Sequence, residues 1–548
     1  MLSLARALAR PIRLIPLFAR LFALLAPVVF LAGCAAPQYS IIELGTPYSL
    51  RYAVVVSQET LALADWREVA ETFAKNRNAK LFTYKTAAGV ASVREKLAAE
   101  MPFYTAFVAR PEECGRAYIA EIHRLTRRLD DDPWLDTQWG VITGTDAASA
   151  AQLANAAPPL KIQRALSTTK LDDRSFSEYF SLSDDTPGGW SWKKPDGTFP
   201  RGCDDLGKPE VAAWAEHFNT SPDLVVTSSN GGENFVEMPY GRGAVRVSGG
   251  LLHAIADLRQ TEPSPDAMPL LASNSPKVFF PVGNGCAGHI TGKDSLVPVL
   301  TSKYGVRQIA AYTVPTVFGR GGWGVLNLWQ TLPGRNSFIE SFFFNQQHML
   351  HDITQITPDA LEYKPVFGEG EASFAGHVAA MVDAKLKFDP RNLRRGGTRS
   401  PDYQLAGLLW DIDTVAFYGD PSWQATFRSS KEIPGFVAVG LTSRGTEHVL
   451  SMEVRNPAMA LQSTAPIGLV FTTRLKNIAL LEGKEYGPII ADNFILITNP
   501  KPRSGEKEII VRFRGEPILP SKNTPATGAA AAGATGAGAT GAAGAGKK

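Results

Sequence analysis

A cysteine that follows an apolar strand and is flanked by glycines can serve as a nucleophile, and this sequence holds one. The run Lys277-Val-Phe-Phe-Pro-Val-Gly-Asn-Gly-Cys286-Ala-Gly-His289 ends an apolar stretch in such a turn. A thiolate there would attack a carbonyl carbon. The glycines would let a substrate approach the backbone, and the N–H groups from Gly285 to Ala287 would face the developing oxyanion. His289 is placed to fold back as the base. The alternatives are a solvent-facing or core-satisfied imidazole for His289, and a small buried residue at a strand end for Cys286. A second polar turn lies 56 residues earlier, in Asp223-Leu-Val-Val-Thr-Ser-Ser-Asn230-Gly231-Gly232. Asn230 and Gly231 are read as part of the same pocket, although an amide cannot act as a general base near neutral pH. His253 lies between the two strands and reads as structural.

The elements that must position these residues alternate in type. Residues 52–57 form a continuous apolar run typical of a buried parallel strand. Helical patterns over 62–75, 90–99, 116–129 and 147–157 are interleaved with strand patterns over 79–83, 104–109 and 140–143. Asp146 reads as the N-cap of the last of those helices. Residues 173–207 read as loop-rich. The pattern resumes with a helix over 209–218, strands over 224–228, 278–282 and 308–317, and helices over 337–353 and 372–385. Repeated strand–helix alternation predicts an open α/β sheet, with sites at the carboxyl ends of its strands. After Asp411 the texture changes to short alternating runs with turns between them, the spacing of a small all-β, Ig-like sandwich.

In this order of parts, and in its two glycine-rich strand ends, the chain resembles the gingipain-like (C25) cysteine peptidases of the caspase-type clan over roughly residues 50–515. Thr227–Asn234 resembles the strand end that bears that family's histidine, and Val282–Gly288 the one that bears its cysteine. The resemblance implies two open α/β (caspase/flavodoxin-like) subdomains followed by an Ig-like domain, secretion or surface location, and cleavage of peptide bonds. It also implies a histidine where this chain has Asn230. Trp323, in Gly319-Arg-Gly-Gly-Trp-Gly324, would wall a specificity pocket in a glycine-rich loop beside the site. The expected organisation is a signal peptide over 1–33, a linker over 34–50, α/β subdomains over 51–160 and 161–430, a sandwich over 431–517 and a tail over 518–548.

Other signals are weaker. Gly319–Gly324 fits G-x-G-x-x-G, but no acidic ribose ligand follows at the right distance, so no nucleotide is expected; a tight turn is the plainer reading. Asp130–Asp132, and Asp411 with Asp413 and Asp420, carry the oxygen chemistry calcium favours, without EF-hand spacing. Beyond such structural calcium no cofactor is expected. His348 and His351 share a helix face without a zinc motif.

The ends of the chain bear on location. Four arginines (Arg6, Arg10, Arg13, Arg20) and no acidic residue precede position 34, and residues 21–31 are an apolar run too short to span a bilayer. Leu31-Ala32-Gly33-Cys34 resembles a lipobox, which makes Cys34 the acylated (palmitate-bearing) N-terminus of a mature envelope lipoprotein. Ala35 resembles an outer-membrane sorting signal in a Gram-negative host, with a periplasmic or surface-exposed body. Removing that segment turns the formal charge of +3 into −1, because four arginines leave with it. A near-neutral chain without a basic stripe excludes nucleic acid as a partner. Cys114, Cys203 and Cys286 then remain, an odd number, so one internal disulfide at most can form. The Ala/Gly/Thr tail has no side chain for a core and reads as disordered. Two functions follow for a peptide or protein partner: a cysteine endopeptidase acting through Cys286 and His289, or a non-catalytic surface binding or scaffold lipoprotein, because Asn230 replaces the histidine.

Overall fold

The computed structural model describes residues 51–518 except 261–266, 332, 366–371, 396–399, 429–434 and 463–464. The signal-like segment with Cys34 and the Ala/Gly/Thr tail lie outside the described residues. Twelve strands of the described residues build one large sheet. They are β1 (Tyr52–Ser57), β2 (Lys80–Tyr84), β3 (Tyr104–Val108), β4 (Gln138–Ile142), β5 (Arg164–Ser167), β6 (Glu178–Leu182), β7 (Gly189–Lys193), β8 (Arg201–Cys203), β9 (Leu224–Thr227), β10 (Lys277–Pro281), β11 (Val306–Tyr312) and β12 (Val415–Gly419). Their order in space is β2-β1-β3-β4-β12-β11-β10-β9-β5-β6-β7-β8.

The apolar run of β1 is buried throughout because it serves two cores. Val54 and Val56 face a cluster with Trp66, Phe73, Ala150 and Leu153, from the helices Ala64–Asn76 and Ala147–Ala154. Ala53 and Val55 face the opposite side, with Ile119 and Ile122 of the helix Arg116–Thr126. This two-faced covering is what makes a parallel strand read as a continuous apolar run. Asp146 caps its helix as expected, accepting the Ser149 N–H at 2.8 Å.

Two parallel blocks meet in the middle of the sheet. From β2 to β12 all neighbours are parallel, and so are those from β11 to β6. β11 and β12 pair antiparallel and join the blocks. The carboxyl ends of β9 and β10 therefore lie side by side, with Thr227 opposite Pro281 as the last pair. Between β9 and β10 the chain makes a small antiparallel sheet from strands between 231 and 255 and Met268–Pro269. The stretch 173–207, read from sequence as loop, contains β6, β7 and β8. These short strands, of which β6 and β7 are aromatic, are hidden among Pro187-Gly188 and Pro195-Asp196-Gly197, whose turns join them.

The C-terminal part is two antiparallel sheets, of four strands (Phe436–Arg444, Glu447–Val454, Glu508–Pro517, Leu475–Glu482) and three (Ile467–Val470, Phe494–Ile497, Pro488–Ile490). Ile495 and Ile497 fill the core between those sheets, with Leu450, Met452 and Val511. Phe494 and Leu496 point the other way, into the α/β core, where Phe494 meets Phe343 edge-on. The helix Phe338–Ile356 forms that seam. No helix of the described residues is long and apolar enough to cross a membrane.

Candidate active site

Beyond the pair Thr227/Pro281 the β9–β10 ladder ends, and each strand turns sharply. Ser229 has φ +90° and Cys286 φ +62°, conformations that L side chains rarely adopt. Cys286 is half-buried and carries no disulfide. Its N–H donates to the Val314 carbonyl at 3.1 Å, and its own carbonyl accepts the His289 N–H at 2.9 Å. Ala287 donates to the Asn284 carbonyl at 3.4 Å. Two of the three amides expected to face an oxyanion are thus engaged within the protein. Gly285 packs so tightly that a Cβ there would lie 2.8 Å from the Thr316 nitrogen.

His289 folds back as a turn would require, but its ring goes into the core. The residue is 4% exposed, and Nδ1 is buried without a hydrogen-bond partner. Burial, helped by the Arg116 guanidinium and opposed by Glu233, pulls its pKa down to about 4. The ring is neutral at physiological pH and a poor base there. Six other imidazoles are placed elsewhere. His123 bonds the Val415 carbonyl, His377 the Ala406 carbonyl, His348 the Arg320 guanidinium, and His448 bonds Ser443 and the Gly515 carbonyl. His217 stacks on Phe180, and His253 lies on a strand opposite Arg246.

Asn230 is exposed, and its Nδ2 donates to Glu237 Oε2 at 3.2 Å. Its carbonyl accepts from the Glu237 N–H at 3.0 Å and from Asn284 Nδ2 at 2.6 Å. Asn284 also donates to the Ser228 carbonyl at 3.2 Å. Sequence reasoning gave this asparagine no role; the only signal was its place between two glycines. The Ser228 N–H donates to Thr168 Oγ1 at 2.7 Å, and its hydroxyl donates to Asp184 Oδ2 at 3.2 Å. A cleft of about 330 Å³ opens at β6–β8, lined by Lys170, Ser183, Asp185, Trp190, Phe199 and Arg201 among others, and the β9 and β10 turns do not line it.

Trp323 is half-exposed beside the site: a Cβ on Gly283 would lie 3.6 Å from its Cζ2. The glycines around it form neither a phosphate loop nor a tight turn. Gly321, Gly322 and Gly324 lie inside the helix Arg320–Thr331. A Cβ on Gly322 would come within 2.2 Å of the Val282 carbonyl oxygen. The helix start is held by Asp411, whose Oδ2 accepts the Gly321 N–H at 2.8 Å and the Tyr312 hydroxyl at 2.9 Å. Gly322→Ala is expected to push this helix off the Cys286 turn and cost about 1–3 kcal/mol, the range for overpacking. Urea denaturation would show it, and an unchanged midpoint would count against the close packing.

Asp411, Asp413 and Asp420 do not gather around one point: Asp413 pairs with Arg124 and Arg127, and Asp420 with Arg77 and the Tyr52 hydroxyl. Asp130 and Asp132 gain a third carboxylate, Asp492 from the turn between Pro488–Ile490 and Phe494–Ile497, with oxygens within 4.8 Å of one another. That oxygen set has the chemistry for a hard cation. Burial, and then the neighbouring Asp130, raise the Asp132 pKa to about 7. The thiols are far apart in the sheet: Cys114 is buried after β3, while Cys203 is exposed on edge strand β8.

No family model and no curated protein matches the chain. Three solved structures are similar to it. One is the crystal structure of the Arg-specific cysteine proteinase gingipain R, with 10% identity and a TM-score of 0.38, covering 86% of this chain and 94% of that one. Another is a complex of Porphyromonas gingivalis RgpB pro- and mature domains, with 11% identity and a TM-score of 0.35, covering 83% and 94%. The third is described as a protease, with 10% identity and a TM-score of 0.34, covering 86% and 98%.

Proposed function

We propose that this chain is a peptidase-derived lipoprotein that binds an extended peptide or protein segment at the carboxyl ends of β9 and β10 without hydrolysing it. The observation that carries the reading is Asn230. An amide bonded to Glu237 stands at the strand end beside the Cys286 turn, where a thiol peptidase of the resembled kind would need an imidazole. The engaged amides of Cys286 and Ala287 support it, since a tetrahedral oxyanion needs donors that are not already satisfied. Farther along the same sheet, the cleft at β6–β8 carries cations and carboxylates on its walls, which suits a mixed polypeptide surface. The N-terminal segment supports an envelope location with lipid on Cys34, in the outer membrane of a Gram-negative host.

A second reading, an active cysteine endopeptidase, is favoured by one observation. Cys286 holds a left-handed backbone at a half-buried position, and such outliers collect at functional sites. One experiment separates the two. The soluble form starting after Cys34 is incubated with a random decapeptide pool, and products and retained peptides are read by mass spectrometry. Binding without hydrolysis predicts retained peptides and no cleavage for wild type and Cys286→Ala alike. Cleavage by wild type that persists in Cys203→Ala and disappears in Cys286→Ala would establish the peptidase instead.

A further inference from the structure

We propose that Asn284 is the latch of this site: a positioning residue whose carboxamide fixes the Ser228–Asn230 turn against the Cys286 turn. The inference rests on the reading that these strand ends bind a peptide, but the latch itself is tested without one.

The ladder between β9 and β10 stops at Thr227 and Pro281. Past it, Asn284 carries two hydrogen bonds from one turn to the other. Both hydrogens of its Nδ2 are used, on the carbonyls of Ser228 and Asn230. The Asn284 side chain is fully buried, and its bond to the Ser228 carbonyl is shut away from water. Gly231 makes room, since a Cβ there would stand 2.9 Å from the Asn284 Cβ. The amide orientation is settled by its partners: turned over, Oδ1 would face two carbonyl oxygens. The orientation leaves Oδ1 buried without a donor, a cost that a residue serving only to fill space would not carry. The latch also explains how Ser229 keeps φ +90°. A rarely populated backbone persists only when its surroundings over-determine it.

The test uses the mature chain and three side chains at 284. Amide exchange over residues 228–231 is followed as protection relative to intrinsic rates. Iodoacetamide labelling of Cys286 is read by peptide mapping, with exposed Cys203 as the internal control. At neutral pH, Asn284→Asp and Asn284→Ala should each lower protection at least about tenfold, the factor for roughly one net hydrogen bond lost. Cys286 labelling should change while Cys203 labelling does not. At about pH 4, near the carboxyl pKa, Asn284→Asp should regain protection, because the protonated acid again donates to a carbonyl. Asn284→Ala, with no donor at any pH, should not. A space-filling role predicts no such difference. Equal protection in both variants across pH, or wild-type protection in Asn284→Ala, overturns the proposal. If Asn284→Asp does not fold, the alanine variant alone still decides, through protection and labelling. Loosened turns in variants of a protein that retains no decapeptide would remove the peptide reading and leave the latch standing.

Discussion

Asp413→Asn is expected to lose about 3–5 kcal/mol of stability, the cost of breaking a buried ion pair from one side. Asp413 is 1% exposed, between the helix Pro401–Asp411 and β12. Its Oδ2 accepts Arg124 Nε at 2.8 Å and its Oδ1 accepts an Arg127 nitrogen at 2.7 Å. Burial by itself would raise its pKa, but the Arg127 and Arg124 guanidiniums outweigh that and hold it at about 2. The pairs matter because β12 is the strand that stitches the two parallel blocks together, and the arginines belong to the helix covering the first block and the residue just past its end. An asparagine would leave two guanidiniums largely buried without their counter-charge. The sign of the pH dependence follows. A carboxyl with a folded pKa near 2 and an unfolded one near 3.9 contributes stability above about pH 3.9. That stability is lost as the pH falls through 2. Urea denaturation of wild type and variant should therefore show the full gap at pH 7 and a gap closing toward pH 2. A gap under about 1 kcal/mol at pH 7, the size of an exposed pair, would mean the triad does not hold the blocks together.

The parts of this fold that were legible in sequence are those governed by local pattern. The apolar runs of β1, β9 and β10 announce parallel strands because both of their faces are covered. Asp146 announces a helix start because its carboxylate needs only an N–H three residues on. What was not legible depends on partners far along the chain. β12 lies between β4 and β11, and nothing in Val415–Gly419 says so. The glycines of 321–324 suggest a loop until the Val282 carbonyl and Asn345 are seen to press on them from outside. The candidate site divides the same way. That Asn230 and Cys286 end neighbouring strands follows from two similar strand-and-turn patterns. That His289 turns inward, and that Asn284 ties the turns together, follows from packing that no spacing encodes. Spacing put His289 within reach of Cys286; burial decided its protonation.

Asn230→His is expected to turn Cys286 into a fast-reacting thiol without making the protein an efficient peptidase. The position has room, because Asn230 is exposed. Glu237 Oε2, now 3.2 Å from the amide nitrogen, would hold one ring nitrogen and raise the basicity of the imidazole. The backbone at 230 is already latched to Asn284, two residues before the thiol. An imidazolium at that turn lowers a neighbouring thiol pKa from about 8.5 to the range of about 3.5–7.5. At about pH 6.5 a fall of two units takes the thiolate fraction from about 1% to about half, so labelling by iodoacetamide should rise by roughly 10–50-fold. Cys203, on the far edge strand, should not respond. Hydrolysis should gain far less than the 10²–10⁴-fold of a restored general base. The Cys286 and Ala287 N–H groups remain bonded to Val314 and Asn284. No increase at Cys286 relative to Cys203 would mean that position 230 does not address the thiol. A full gain in peptide cleavage would mean that the backbone amides rearrange for a tetrahedral intermediate, and that the imidazole was all this site lacked.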